Sequence, residues 1–560
     1  MLDDVRSENP PCDPLSSRAA FPDTRIGQFR QILLWPVELV PLHPEAADHN
    51  FAAVLSSLGA DNPWKVVDDE FTGDPKNFQE RHYNEFVTFL PPVQRFLYGS
   101  NPSKTVGSVS SESPVTTFRR TDIATLRVVL TPGAKAIDLK VEHIDLYFFF
   151  EIDVVILALE ISTNDIGLAD VQDVMFRLGR THPAYWEKGT DVAGHCPAKV
   201  EFLSEQSVVV VASDYEDRDR FLTHVCAKRA ARVAAHWQYL LFPLVPHHSD
   251  LPGMLRYKQL EYYRMPQMAF IAVQPDSELT RADYVRLAFA SGPGSCQELP
   301  FSDRHLEDFE KRYCYDRYFG KHNEIEWPQS RYMSCGHALV VTGSAENPFF
   351  VDPNHGCLNS FRHEHFLVFL IAHFHKASLL MFSDRLTAAM SRLDAHSKSA
   401  SIAFRMASRR ALQTFLRFTH RYWFYSVSNQ TQAHDLFALC RTHLDIDRLY
   451  NDIRQEIQEM SEFLENEAMR RQNDTVTRLT VVTTLGLVAT TVTGFLGMNL
   501  LDWANQSTEW RLLAFTAVLV PTVILTLIAV ANSRVLSDIM ESLSDGSARW
   551  LPRLRRKPKI

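Results

Sequence analysis

Metal chemistry would need His, Cys and carboxylates at close spacing, and the chain offers three candidate groups. Cys335-Gly336-His337 and His355-Gly356-Cys357 carry the soft ligand types that zinc takes, yet their spacing fits no zinc module. They read as buried thiols and strand-end imidazoles. His363, His365, His373 and His375 form i,i+2 pairs, which point to different faces of a helix and so suit packing or surface positions. Asp445, Asp447, Asp452, Glu456, Glu459 and Glu462 lie among Arg448 and Arg454 at helical spacing, the pattern of a solvated face with ion pairs. No Gly-x-x-x-x-Gly-Lys or His-Glu-x-x-His motif occurs, so nucleotide-driven pumping and zincin hydrolysis have no support. No catalytic residue is singled out, and the reading is of a protein that is not an enzyme.

The elements that would carry these residues divide the chain in two. Of its 560 residues, 21 are Gly and 29 Pro, yet residues 357–485 contain neither. Both residues disfavour helix interiors, Gly by about 1 and Pro by about 3 kcal/mol relative to Ala, so this stretch predicts long helices. Apolar Leu436, Leu439, Leu449, Ile453, Ile457, Met460 and Leu464 follow one stripe of a packed seam. Helices are expected over about 364–393 and 400–425, with a third running unbroken from about 430 to 496. That third would be on the order of 100 Å long, the size of a coiled-coil stalk entering a membrane.

Upstream, turn-rich sequence predicts a mixed α/β region. Strands are expected at 31–40, 125–130, 146–161, 207–211 and 338–342, and helices at 168–180, 217–241 and 303–318. The apolar run 147–161 contains Glu151 and Asp153 and is therefore no membrane span. Ser-rich 99–114 reads as a flexible connection. A net charge of −9 argues against nucleic-acid binding, which needs a basic footprint. Eight scattered Cys suggest reduced thiols, and the acidic, Pro-containing start lacks the apolar core of a secretory signal.

Two uncharged runs close the chain. Residues 479–501 and 512–533 hold 23 and 22 residues without a charge, enough for a bilayer core of about 20. The ten-residue connection 502–511 bears Trp503 and Trp510, suited to the headgroup level. Arg470, Arg471 and Arg478 precede the first run, while Arg534, Arg553, Arg555, Arg556, Lys557 and Lys559 follow the second. By the positive-inside rule both termini face the cytoplasm. The expected product is a multi-pass protein of the cell (inner or plasma) membrane, with lipid as one partner.

The first run ends Thr-Gly-Phe-Leu-Gly-Met-Asn-Leu, which puts Gly497, Met498 and Asn499 at its external end. A Gly-Asn pair ending a helix also suits a C-cap. A C-terminal two-span hairpin with Gly-Met-Asn closing the first span resembles the CorA-type divalent-cation transporters. The segment Arg421-Tyr422-Trp423-Phe424-Tyr425-Ser426-Val427-Ser428-Asn429-Gln430 is similar to the lead into the family's stalk. The resemblance covers about 360–560.

It implies a homopentamer whose first-span helices surround a pore, with Gly497, Met498 and Asn499 as its outer selectivity motif. Neutral Asn499 carboxamides could hydrogen-bond a hydrated Mg²⁺ without stripping its waters. Counting back by helical steps gives Gly494, Thr490, Leu487, Thr483, Thr480, Val476 and Asn473 as candidate pore-lining residues, with Leu487 and Val476 as dewetting gates. Small and Thr residues also serve helix contacts and bond their own turn's carbonyls. Leu496 stands where many members have an aromatic residue, and the connection lacks Met-Pro-Glu, offering Asp502 and Glu509 instead.

The expected organisation is an N-terminal extension (1–110), a cytosolic α/β domain (111–356), a long-helix stalk region (357–478), two transmembrane helices (479–501 and 512–533) joined by an external loop (502–511), and a basic cytosolic tail (534–560). The expected function is passive, potential-driven Mg²⁺ entry, with the cation as both substrate and possible regulator and no tightly bound cofactor. Zn²⁺ or Ni²⁺/Co²⁺ transport as in ZntB-like relatives, and a membrane-anchored cytosolic sensor or enzyme, are the alternatives.

Overall fold

A computed structural model describes residues 24–40, 51–56, 58–59, 62–67, 80–99, 115–149, 151–251, 255–261, 263–294, 299–320, 329–391, 398–497 and 507–531. The chain divides into two compact units, Met1–Ile457 and Gln458–Ile560. The expected connection 99–114 beyond Gly99, the tail 534–560 and half of the loop 502–511 lie outside the described residues.

Unit 1 is built on one sheet. Its strands are β1 (Arg25–Val40), β2 (Lys65–Val66), β3 (Val115–Arg119), β4 (Thr125–Val129), β5 (Ile137–Phe149), β6 (Val154–Gly167) and β7 (Lys199–Leu203). They continue as β8 (Val209–Ala212), β9 (Val245–Pro246), β10 (Arg256–Gln259), β11 (Gln267–Val273), β12 (Cys314–Tyr315), β13 (Arg331–Ser334) and β14 (Ala338–Ser344). Among the described residues the sheet order is β12-β13-β14-β11-β1-β6-β5-β4-β7-β8, with β3 also beside β5 and β10 beside β1. Most pairs are antiparallel, but β11 and β14, and the short β9 and β10, run parallel.

β1 is central, between β11 and β6, and its second half, Gln31–Leu39, is buried throughout. A strand covered on both faces loses apolar–polar alternation, which is why this one reads as a continuous apolar run. Pro36 has no N–H to give a ladder. It falls where β1's neighbour changes from β11, last paired at Leu33, to β10, first paired at Val37. Residues 25–40, within the expected N-terminal extension, thus form a strand in the middle of the sheet, where a strand was expected over 31–40.

The run 146–161 is two strands rather than one. β5 and β6 pair as an antiparallel hairpin, and the chain reverses near Glu151, whose φ is +67°. Apolar residues flank the turn on both sides, so composition gave no sign of it. The expected helix 217–241 likewise divides into Arg218–Lys228 and Ala235–Leu241.

Alternation along the strands assigns two covered faces. Leu33, Trp35, Val155, Leu157 and Leu159 pack in one core with Val171, Val174 and Met175 of the helix Leu168–Arg177. The helix Glu364–Ser391 also packs on β1 and β6. It is the one described helix long and apolar enough to cross a membrane, over Cys357–Ser391, but 78% of its apolar window is buried inside the fold. Burial on nearly every side explains why it is apolar all round. It is a core helix.

The helices that follow are Lys398–Arg421, Thr431–His443 and Ile446–Gly497. The expected unbroken third helix is therefore two. Asp445, with φ +55°, stands between them in the left-handed region that Asp tolerates better than most residues. In unit 2 the helix Thr508–Ala531 follows, with Pro521 inside it.

Candidate functional site in the C-terminal helices

The start of the 52-residue helix Ile446–Gly497 is held by the aromatic segment 421–430. Trp423 stacks with two rings, His375 of the core helix at 5.0 Å and Tyr450 at 4.1 Å. The Arg441 guanidinium sits 5.0 Å over the Trp423 ring. It also donates to the Phe424 carbonyl oxygen at 2.5 Å and pairs with Asp447. Leu90 N–H donates to the Val427 carbonyl oxygen at 2.9 Å, and Ser428 Oγ to that of Thr88. This segment, legible in the sequence as a motif, is a buried clamp at the head of the helix.

Further along, every expected pore-lining residue is on this helix and exposed in the single chain: Asn473, Val476, Thr480, Thr483, Leu487, Thr490 and Gly494. Gly497, the last residue of the helix, is exposed too. Val488 and Val492 are the buried apolar side chains of this stretch among the described residues. At about 100° per residue they lie across the helix from the stripe. The hydroxyls of Thr480, Thr483 and Thr490 each donate to the carbonyl oxygen four residues earlier, at 2.8 Å. These threonines therefore satisfy themselves within the helix and need no partner helix for their donors. Met498 and Asn499 lie outside the described residues. So does the end of the second expected span, whose described part belongs to the helix Thr508–Ala531.

The other candidates resolve into structural roles. Cys335 Sγ accepts from Ala338 N–H at 3.3 Å inside the β13–β14 turn, and no three His, Cys, Asp or Glu among the described residues are placed to hold a metal ion. His365, His373 and His375 are buried rather than at the surface. Burial pushes the His375 imidazole down to about 3, and its Nε2 lies 2.7 Å from the Tyr422 carbonyl oxygen. Arg448 pairs with Asp445 and Asp452, each at 3.8 Å, as a solvated face would.

One feature of unit 1 has no counterpart in the sequence reading. A cleft of about 760 Å³ opens beside β5 and the core helix, lined by ion pairs. Arg119 holds Asp145 bidentately at 2.7 and 2.8 Å, and Glu160 accepts from Arg362 at 2.7 Å and Arg30 at 3.0 Å. Its size is that of a small-molecule site. The available signal was His143, Asp145 and Tyr147 at alternate positions of β5, which mark a polar face on an otherwise apolar strand.

Residues 406–531 match a family model described as CorA-like Mg2+ transporter protein. The match begins within the helix Lys398–Arg421 and takes in the aromatic clamp, the long helix and the helix Thr508–Ala531. No curated protein matches the chain.

Proposed function

We propose that the protein, whose residues 406–531 match the CorA-like family model, is a membrane-embedded, pore-forming transporter of divalent cations, Mg²⁺ first among them. The observation that carries this reading is the exposed stripe from Asn473 to Gly497, which faces away from Val488 and Val492. Nearly every described side chain of this stretch is exposed, Val488 and Val492 excepted, so the face of small and Thr residues is free to line an axis shared by several copies. Five copies, as the family resemblance implies, would bring five such stripes together. Residues 479–501 and 512–533 would cross the bilayer as a hairpin, with both termini and unit 1 in the cytoplasm.

The stripe's threonines have their hydroxyl protons engaged by the backbone, which leaves oxygen lone pairs directed outward. Oxygen acceptors suit the water shell of a hard cation, and Mg²⁺ dehydrates reluctantly. Gly494 and Gly497 would keep the outer end wide, and Asn499 carboxamides would receive the hydrated ion. Leu487 and Val476 would form apolar constrictions that close by dewetting. A membrane potential of 100 mV gives a divalent ion roughly 4.6 kcal/mol, so entry requires no nucleotide.

Uptake into proteoliposomes tests the proposal. Wild-type protein should pass Mg²⁺ down an imposed potential, with Zn²⁺, Co²⁺ and Ni²⁺ measured beside it to rank the cations. Absence of flux for all four would overturn it. The ion-paired cleft of unit 1 supports a second reading, a membrane-anchored sensor, which that outcome would favour.

A further inference from the structure

A second, smaller cavity of about 270 Å³ lies in unit 1, apart from the helices of the proposed pore. Its wall is assembled from three distant stretches. His373, Lys376 and Leu380 lie at i, i+3 and i+7 on the core helix, hence on one face. Glu261 and Arg264 come from the segment between β10 and β11, and His337 from the β13–β14 turn. Gly336 makes that turn possible. Its φ is +79°, and a Cβ there would stand 2.7 Å from the His443 carbonyl oxygen.

The polar groups here are out of water without being satisfied. His373 is fully buried, and its ring nitrogens make only long contacts, to Glu261 and to the Gly336 backbone, with no well-formed hydrogen bond. Nε2 of His337 and Oε1 of Glu261 are likewise buried and unpartnered. The contacts among them are long, with Glu261 Oε1 3.8 Å from His373 Nδ1 and Oε2 3.5 Å from Lys376 Nζ. Buried polar groups are nearly always paired, so a cavity with several that are not is one prepared for a ligand.

The charges select its class. Burial drives His337 well below the ordinary imidazole range, and the positive charges of Arg264, Arg180 and Lys376 push it the same way. His373 is lowered chiefly by burial too. Both rings are therefore neutral N–H donors in a field set by Arg264 and Lys376. Burial would raise Glu261, but His373 and Lys376 outweigh it and keep the carboxylate ionised. Two cations, two neutral imidazoles and one carboxylate acceptor match an oxyanion that also carries a proton. They suit a metal ion poorly, since Lys376 and Arg264 would repel it.

We propose that this cavity binds a protonated phosphate group, free or on a small monoester, with Lys376, His373 and His337 donating to its oxygens and Glu261 accepting from its P–OH. The carboxylate is the discriminating element. Sulfate has the same shape but no proton at neutral pH, so it would set two acceptors against each other. The proposal is independent of ion conduction and holds whether or not the chain forms a pore.

Calorimetric titration of the full-length protein in detergent, in a phosphate-free buffer, tests it. Inorganic phosphate should bind saturably at one site per chain, and sulfate at least about tenfold more weakly. Lys376→Met, at a partly exposed side chain, should weaken phosphate by about tenfold or more. Glu261→Gln should bring sulfate to within about threefold of phosphate. Titration with AMP separates the sources, since tighter binding than phosphate assigns the group to a monoester. Thermal melts identify a variant that fails to fold, in which case the wild-type phosphate-to-sulfate ratio decides. No saturable binding of phosphate or AMP, or equal affinity for phosphate and sulfate in wild type, would overturn the proposal.

Discussion

Trp423 and Tyr450 stack with ring centroids 4.1 Å apart and planes inclined by 18°. The contact joins the loop after the helix Lys398–Arg421 to the second turn of the helix Ile446–Gly497. With His375 also stacked on Trp423 and the Arg441 guanidinium over its ring, a single indole ties three helices together. Trp423→Ala removes that ring and leaves the Arg441 charge without its aromatic partner. We expect a loss of about 3–5 kcal/mol of stability, read as a lower denaturation midpoint of the purified protein. Trp423→Phe, which keeps part of the stack, should lose less than half as much.

The exposed stripe gives a steric prediction for transport. Gly494 has no atom within 4 Å of where a Cβ would be, so a larger side chain fits the single chain. If five stripes face one axis, Gly494→Leu places five isobutyl groups in the conduit. Mg²⁺ flux should fall by at least about tenfold, with expression and oligomeric state unchanged. Ser in place of Gly494 should retain most of the flux.

Asn499→Ala removes the carboxamide ring proposed at the outer mouth. The expected result is loss of Mg²⁺ flux, or loss of its preference over Co²⁺ and Ni²⁺, with an unaltered melting profile. Unchanged flux and unchanged selectivity would count against the assignment of the motif.

Acid should weaken unit 1 through its buried imidazoles. The His375 pKa is lowered by burial to about 3, and that of His236, also chiefly by burial, to about 3. In the unfolded chain both would titrate near 6.5. Between these values the unfolded state binds protons that the folded state refuses, so stability rises with pH across that window. Each histidine contributes on the order of 1.4 kcal/mol per pH unit, lost progressively as pH falls from about 6.5. Urea midpoints between pH 4 and 7 would show this slope. His375→Gln, able to donate to the Tyr422 carbonyl oxygen without charging, should reduce the slope by one histidine's share, about 1.4 kcal/mol per pH unit.

In the large cleft, Arg362 holds Glu160 from one side and Arg30 from the other. Arg362→Met leaves the nearly buried carboxylate with one cation. A loss of about 3 kcal/mol is expected by denaturant titration, and Glu160→Gln in the same chain should restore part of it.

Much of this architecture is visible in one sequence because the physics involved is local. The absence of Gly and Pro over 357–485 reported the helices, and the uncharged runs reported the apolar C-terminal segments. Asp445 could not be read as a break, because an Asp inside a charged helical pattern looks like any other solvated residue. The hairpin turn at Glu151 was hidden for the opposite reason, since its flanks are equally apolar. The cavity around His373 was illegible because Glu261, His337 and Lys376 meet only after β10, β13, β14 and the core helix have assembled. Of the four histidines whose spacing suits packing or surface positions, His365 and His375 are packed in the core, whereas His373 lines this cavity.

Protein synthesis meets a difficulty in β1. The strand leaves the ribosome well before β6 and long before β11, the neighbours that flank it in the finished sheet. At about 5–20 residues per second the wait for β6 alone is on the order of ten seconds. For that time one of the most apolar stretches of the molecule has both edges open, inviting aggregation. The strand has both of its neighbours only once translation has passed residue 273.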